Sequence, residues 1–142
     1  MKNTALAALI IACSIPASVS AATGEPGHLT LTFSTGATSG AVMVSLFDSE
    51  GAYEKGTPAR TARIDVAKGE RTTIFSDLKE GSYAIKAFHD VNGDGQMNTN
   101  PFGVPIEPIA FSNNAPADMG PAEWDLARTA VKGATAQTIE IR

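Results

Sequence analysis

His28-Leu29-Thr30-Leu31-Thr32-Phe33 sets apolar and polar side chains in alternation. Successive side chains of a strand point to opposite faces, so Leu29, Leu31 and Phe33 share one face and Thr30 and Thr32 the other. The stretch predicts a half-buried β-strand. Outward from it the same period recurs. Ala41 to Phe47 directs Val42, Val44 and Leu46 inward, Ser82 to Asp90 gathers Tyr83, Ile85 and Ala87 on one face, and Gln137 to Ile141 turns Ile139 and Ile141 inward. Arg63 to Val66 and Arg71 to Phe75 read as two shorter strands parted by Lys68-Gly69. No segment carries a long helical stripe, and Asp118 to Val131 has room for only a turn or two of helix. Short strands separated by Gly and Pro turns predict an all-β fold, an antiparallel β-sandwich of about seven strands.

Phe75-Ser76-Asp77-Leu78-Lys79-Glu80-Gly81-Ser82-Tyr83 joins two of these strands. Gly81 is expected to supply backbone freedom at the turn, and Tyr83 to bury its ring while its hydroxyl finds a partner. The pattern looks like the turn of prealbumin-like and collagen-adhesin-type sandwich modules. It reads as structural, with no chemistry attached.

The chain before this sandwich reads as an address. Met1-Lys2-Asn3 is a short basic start, Thr4 to Ile15 is uncharged and apolar, and Val19 and Ala21 are small residues suited to the −3 and −1 positions of a cleavage site. The expected division is a signal peptide over residues 1–21, a flexible lead-in over 22–27 and a single sandwich domain over 28–142. The apolar run is too short to span a bilayer, which takes roughly 20 residues, so no transmembrane span is expected in the mature chain. Ile10-Ile11-Ala12-Cys13 offers a competing cut that resembles a lipobox, which would leave a lipid anchor on Cys13. Either way the predicted location is periplasmic or secreted. The sole Cys excludes an internal disulfide framework. A net charge of −4 over 142 residues argues against a nucleic-acid partner.

That charge is unevenly placed. From Ala87 to Ala127 there is no Lys or Arg, while Asp90, Asp94, Glu107, Asp118, Glu123 and Asp125 bring the stretch to −6. Within it lies Asp90-Val91-Asn92-Gly93-Asp94-Gly95-Gln96-Met97-Asn98. Asp90, Asn92 and Asp94 match positions 1, 3 and 5 of a calcium loop, Gly95 the sixth-position glycine, Gln96 the backbone carbonyl of position 7, and Asn98 position 9. Alternate oxygens converge on one hard cation because the backbone winds around it. Position 12, normally a bidentate carboxylate, is Pro101. A strand rather than a helix leads into the loop, so a remote carboxylate, Glu107 or Asp118, is expected as the extra ligand. Two carboxylates predict weak Ca²⁺ binding, roughly 10⁻⁴–10⁻³ M. A plain turn is the alternative, since Asn92-Gly93 and Asp94-Gly95 both favour hairpins.

From Leu78 onward the residues resemble one family. Gly81-x-Tyr83-Ala84, Phe88-His89-Asp90-x-Asn92-Gly93-x-Gly95, Asn98-Thr99-Asn100, Phe102-Gly103-Val104-Pro105-x-Glu107-Pro108, Phe111-Ser112-Asn113-Asn114-Ala115, Gly120-Pro121 and Trp124-x-x-Ala127 together look like the secreted bacterial family called domain of unknown function 2141. The resemblance implies an immunoglobulin- or prealbumin-like sandwich outside the cytoplasm. It implies no established activity, so no catalytic residue is carried over. Where the family often has an aromatic–Gly pair before Phe-Ser-Asn-Asn, this chain has Ile109-Ala110.

Asn100 to Trp124 is too long for an inert hairpin connection, and long ordered loops on a rigid sandwich usually bind something. Phe102, Phe111, Asn113, Asn114 and Trp124 are the candidate contact residues, with packing of the loop onto the sandwich as the alternative for the aromatics. The resulting expectation is a non-enzymatic accessory module with a protein or small-molecule partner and no catalytic residues. The alternatives are a structural envelope sandwich without ligand, and a hydrolase using two of Asp90, Asp94, Glu107 and Asp118. No Gly-x-Ser-x-Gly, Cys/His pair or His-rich cluster supports the hydrolase.

Overall fold

A computed structural model describes residues 26–142, so the expected signal peptide, Cys13 and most of the lead-in lie outside the described residues. β1 (Gly27–Ser34) buries every second residue, with Leu29, Leu31 and Phe33 almost wholly enclosed. β2 (Ala41–Phe47) does the same with Val42, Val44 and Leu46, and β5 (Gly81–Asp90) with Tyr83, Ile85 and Ala87. These residues, with Ile64, Ile139 and Ile141, form the layer between two sheets. Each large apolar side chain buried there contributes about 1.5–3 kcal/mol.

The first sheet has the order β4 (Thr72–Leu78), β1, β8 (Ala134–Glu140); the second runs β3 (Arg60–Asp65), β2, β5, β6 (Ile109–Phe111), with β7 (Thr129–Val131) also on β5. The eight strands make the expected all-β sandwich. Two details differ from expectation. β1 pairs with β8 in parallel, joining the first and last strands of the described chain. And β6 and β7, three residues each, are held by pairing to β5, β7 along Gly81–Tyr83 and β6 along Lys86–Phe88. The backbone N–H of Ile85 falls between them and is taken by the buried Ser112 hydroxyl at 2.8 Å, which in turn donates to the Ala127 carbonyl.

The link from β4 to β5 crosses between the sheets. As expected, Tyr83 is buried and its hydroxyl donates to the Lys79 carbonyl at 2.9 Å. Gly81 is not the residue that needs glycine's freedom, because its φ is not positive. The left-handed residue is Asp77, at φ +56°. Arg60 holds that bend by donating to the Ser76 and Asp77 carbonyls.

The outer face of the second sheet carries a smaller cluster of Phe47, Tyr53, Ala84, Phe111, Ala115, Ala122 and Ala127. α1 (Glu50–Lys55) covers it from one side and α2 (Trp124–Ala127) from the other. α2 falls inside the stretch expected to turn helically; α1 was not expected. Tyr53 on α1 stands edge-on to Phe47 and Trp124, at 5.3 and 5.6 Å between ring centres, and its hydroxyl donates to the Ala122 carbonyl at 2.7 Å. Among the described residues no helix is long and apolar enough to cross a membrane.

Candidate functional site: the Asp90 loop and its clamp

β5 ends at Asp90, whose carboxylate is 1% exposed. Its two oxygens accept the backbone N–H groups of Gly93 (2.7 Å) and Gly95 (2.9 Å), so the chain winds around this side chain. Gly93 and Gly95 both lie at positive φ, +79° and +77°. The Asn92 side-chain oxygen accepts the Asp94 N–H at 3.0 Å, and Asp94 Oδ1 accepts the Gln96 N–H at 2.8 Å. Asn92 Nδ2 donates to Asp94 Oδ2 at 3.0 Å and to Asn98 Oδ1 at 2.9 Å, and Asn98 Nδ2 donates to Asp94 Oδ2 at 3.2 Å. The side chains of positions 3, 5 and 9 therefore meet. The Gln96 hydrogen bond, then those from Asn98 and Asn92, hold the Asp94 carboxyl below its ordinary range.

Glu107 supplies the closure. Its carboxylate, nearly buried, accepts the Val91 N–H at 2.9 Å on one oxygen and the Asn98 N–H at 3.0 Å on the other. The base of the excursion is further tied by the His89 N–H to the Pro108 carbonyl. Glu107 thus spans the first and eighth residues after Asp90's strand end, whereas Asp118 is exposed and shares no hydrogen bond with the loop. Among the described residues no three His, Cys, Asp or Glu side chains gather as a metal cluster. Any cation here would rest on two carboxylates and neutral oxygens.

His89 alternates to the opposite face from Asp90. It is buried, and its Nε2 lies 2.7 Å from the Ser39 carbonyl, an arrangement that fits a protonated Nε2. The 39–40 turn sits so close that a Cβ on Gly40, at φ +76°, would run into the Asp90 carbonyl oxygen.

The long segment divides into two parts with different roles. In the first, Asn100 organises a tight turn, its side-chain oxygen accepting the Phe102 and Val104 N–H groups at 2.9 and 3.0 Å. This turn lifts Phe102 to 90% exposure, with Val104 and Ile106 also exposed beside it. In the second, Phe111 is buried in the outer cluster and Trp124 packs half-buried against Tyr53. Asn113 and Asn114, at φ +58° and +52°, spend their side chains on the protein itself. Asn113 Nδ2 donates to the carbonyls of Leu126, Ala127 and Arg128, and its oxygen accepts from Gln137 Nε2. Asn114 accepts the Glu140 N–H at 2.8 Å and donates to the Thr138 carbonyl at 3.2 Å, taking the place of a neighbouring strand along the β8 edge. Asn100 and Ser112, though within the family motifs, were not among the candidate site residues; Asn-x-Phe-Gly is the signal that marks the first.

Residues 34–140 match the family model described as "Uncharacterized protein conserved in bacteria (DUF2141)". The chain belongs to this family. The motifs from Gly81 to Ala127 fall within that span, and in this structure their Asp, Asn and Glu members close the loop and seal the β8 edge, while Ser112 joins β5 to the Ala127 carbonyl. No curated protein and no solved structure matches the chain.

Proposed function

We propose that this family member is a non-enzymatic binding or accessory module of the bacterial periplasm or exterior, whose Asp90–Asn98 loop takes Ca²⁺ and so stiffens the acidic excursion that meets a partner protein or small ligand. The observation that carries this reading is the meeting of Asn92, Asp94 and Asn98 side chains above a loop already wound on the Asp90 carboxylate. Asp90, Asn92, Asp94, the Gln96 carbonyl and Asn98 are the ligands, in the order a calcium loop uses them. Glu107, with a spare lone pair on each oxygen, supports the loop from behind. The secretion-type leader and the −6 stretch support a location where Ca²⁺ is millimolar and a site of roughly 10⁻⁴–10⁻³ M is useful. Two surface clefts, of about 330 and 580 Å³, are lined by residues other than Asp90, Asp94, Glu107 and Asp118, so neither gathers the carboxylates of the hydrolase reading.

The test is calorimetric titration of residues 22–142 with CaCl₂, alongside melting in EDTA and in millimolar Ca²⁺. A higher Tm in Ca²⁺, lost in the Asp94→Ala variant, is expected. An unchanged Tm in the parent, or a Ca²⁺ shift in Asp90→Ala or Asp94→Ala as large as the parent's, overturns the proposal.

A further inference from the structure

A second site lies away from the loop. Between α1 and α2 a cleft of about 580 Å³ is lined by Glu50, Tyr53, Glu54, Lys86, Glu123 and Trp124, among others. Lys86 projects from the outer face of β5. Its ammonium sits 3.9 Å from the centre of the Tyr53 ring and 5.2 Å from that of Phe47, and donates to the Tyr53 carbonyl at 2.6 Å. An ammonium has three donors, and two of these have no partner among the described residues. Although carboxylates line the same cleft, none lies within ion-pair distance of Lys86. Glu50, Glu54 and Glu123 are likewise without an ion pair among the described residues, whereas Asp125 is held by Arg128 at 2.9 Å.

The cleft therefore presents unspent charge of both signs beside an aromatic wall. A simple anion would meet three carboxylates. A simple cation would meet Lys86 already seated on the Tyr53 face. We propose that the cleft binds a small zwitterion of the α-amino acid class, its carboxylate on Lys86, its ammonium on Glu54 and Glu123, and its side chain against Trp124. Burial holds the Lys86 ammonium below its ordinary pKa, and a bound carboxylate would reverse that, because an opposite charge favours the charged form. The proposal needs no metal and is independent of the calcium reading.

Trp124 is the sole tryptophan, so its fluorescence reports on the cleft directly. The experiment titrates residues 22–142 in EDTA with L-leucine, with leucine methyl ester, which keeps only the cation, and with N-acetyl-leucine, which keeps only the anion. Leucine is expected to give a saturable change at millimolar concentration, with the two blocked forms at least tenfold weaker. Lys86→Met and the exposed-site variant Glu54→Gln should each weaken leucine at least tenfold. In ¹³C-lysine spectra the Lys86 Cε resonance should titrate at higher pH with leucine bound. No saturable change with leucine, equal binding of either blocked form, or undiminished binding in folded Glu54→Gln and Lys86→Met overturns the proposal.

Discussion

Glu107 holds Asn98: its carboxylate accepts the Asn98 backbone N–H at 3.0 Å while the other oxygen accepts that of Val91 at 2.9 Å. One side chain thus fixes both ends of the Asp90 loop, and much of the ordering entropy a cation would otherwise face is already spent on folding. Glu107→Ala leaves two inward N–H groups without acceptors, each costing about 1–3 kcal/mol. The variant is expected to lose about 2–6 kcal/mol in urea unfolding. Glu107→Gln retains one acceptor but turns an NH₂ toward the second donor, and should fall between the two. If calcium uses the loop, both variants also bind it more weakly; a Glu107→Ala protein as stable as the parent would remove the clamp from the account.

The β8 edge makes a second case. Exposed edge strands pair with other chains unless something blunts them. Here Asn114 supplies one donor and one acceptor to the β8 backbone. Asn114→Gly keeps the left-handed backbone accessible yet removes both bonds, which should cost about 1–2 kcal/mol. The Glu140 amide should exchange hydrogen faster, and aggregation should rise on concentration. Asn114→Ala should be worse than Asn114→Gly, because alanine also meets the positive φ. Comparing the two by amide exchange separates the bonds from the backbone.

The central strands were readable because a face packed on a core imposes period 2 on the sequence, and Leu29-Leu31-Phe33 or Tyr83-Ile85-Ala87 display it without interruption. β6 and β7 were not, since three residues cannot establish a period and their existence rests on β5 beside them. β3 begins three residues before its expected start because Arg60 and Thr61 are exposed on an edge strand and Ala62 alone turns partly to the core, too little to set a burial pattern. α1 holds one buried residue, Tyr53, in six, and contains Gly51, so it forms by packing rather than propensity. The parallel union of β1 with β8 is a tertiary choice that alternation leaves open. In the loop, Asp90 to Asn98 could be recognised by spacing. Glu107 entered only as a remote carboxylate, and its grip on Val91 and Asn98 depends on how the chain folds back. The Lys86 cleft joins α1, β5 and α2, which no local pattern brings together.

Glycine is required unequally around this site. At Gly40 the positive φ coincides with close contact, since a Cβ would meet the Asp90 carbonyl oxygen and come within 3.0 Å of His89 Nε2. At Gly93 the φ is also positive, but a Cβ would meet open space. Gly93→Ala is therefore expected to cost only the backbone term, about 1–2 kcal/mol. Gly40→Ala must in addition push the 39–40 turn off β5 and disturb the His89–Ser39 contact. It should destabilise by at least about 1–3 kcal/mol more, in the range of overpacked sites. Urea midpoints for the two variants decide the matter; equal losses would mean that the turn yields freely.

Burial pushes the Tyr53 hydroxyl from its ordinary value of 10.0 up to about 12. A folded-state pKa above the unfolded one means that the unfolded chain releases its proton first as pH rises. Tyr53 therefore contributes its full stability below about pH 10, and that contribution drains away as pH climbs through about 12. Tyr53→Phe removes the titration and should flatten this part of the stability profile. At neutral pH the same variant leaves the Ala122 carbonyl without its donor and should cost about 1 kcal/mol. The two curves are thus expected to converge between pH 10 and 12. Urea unfolding followed by Trp124 fluorescence, together with phenolate absorbance on the folded protein, measures both halves. Curves that stay parallel through that range would place the Tyr53 hydroxyl in contact with water.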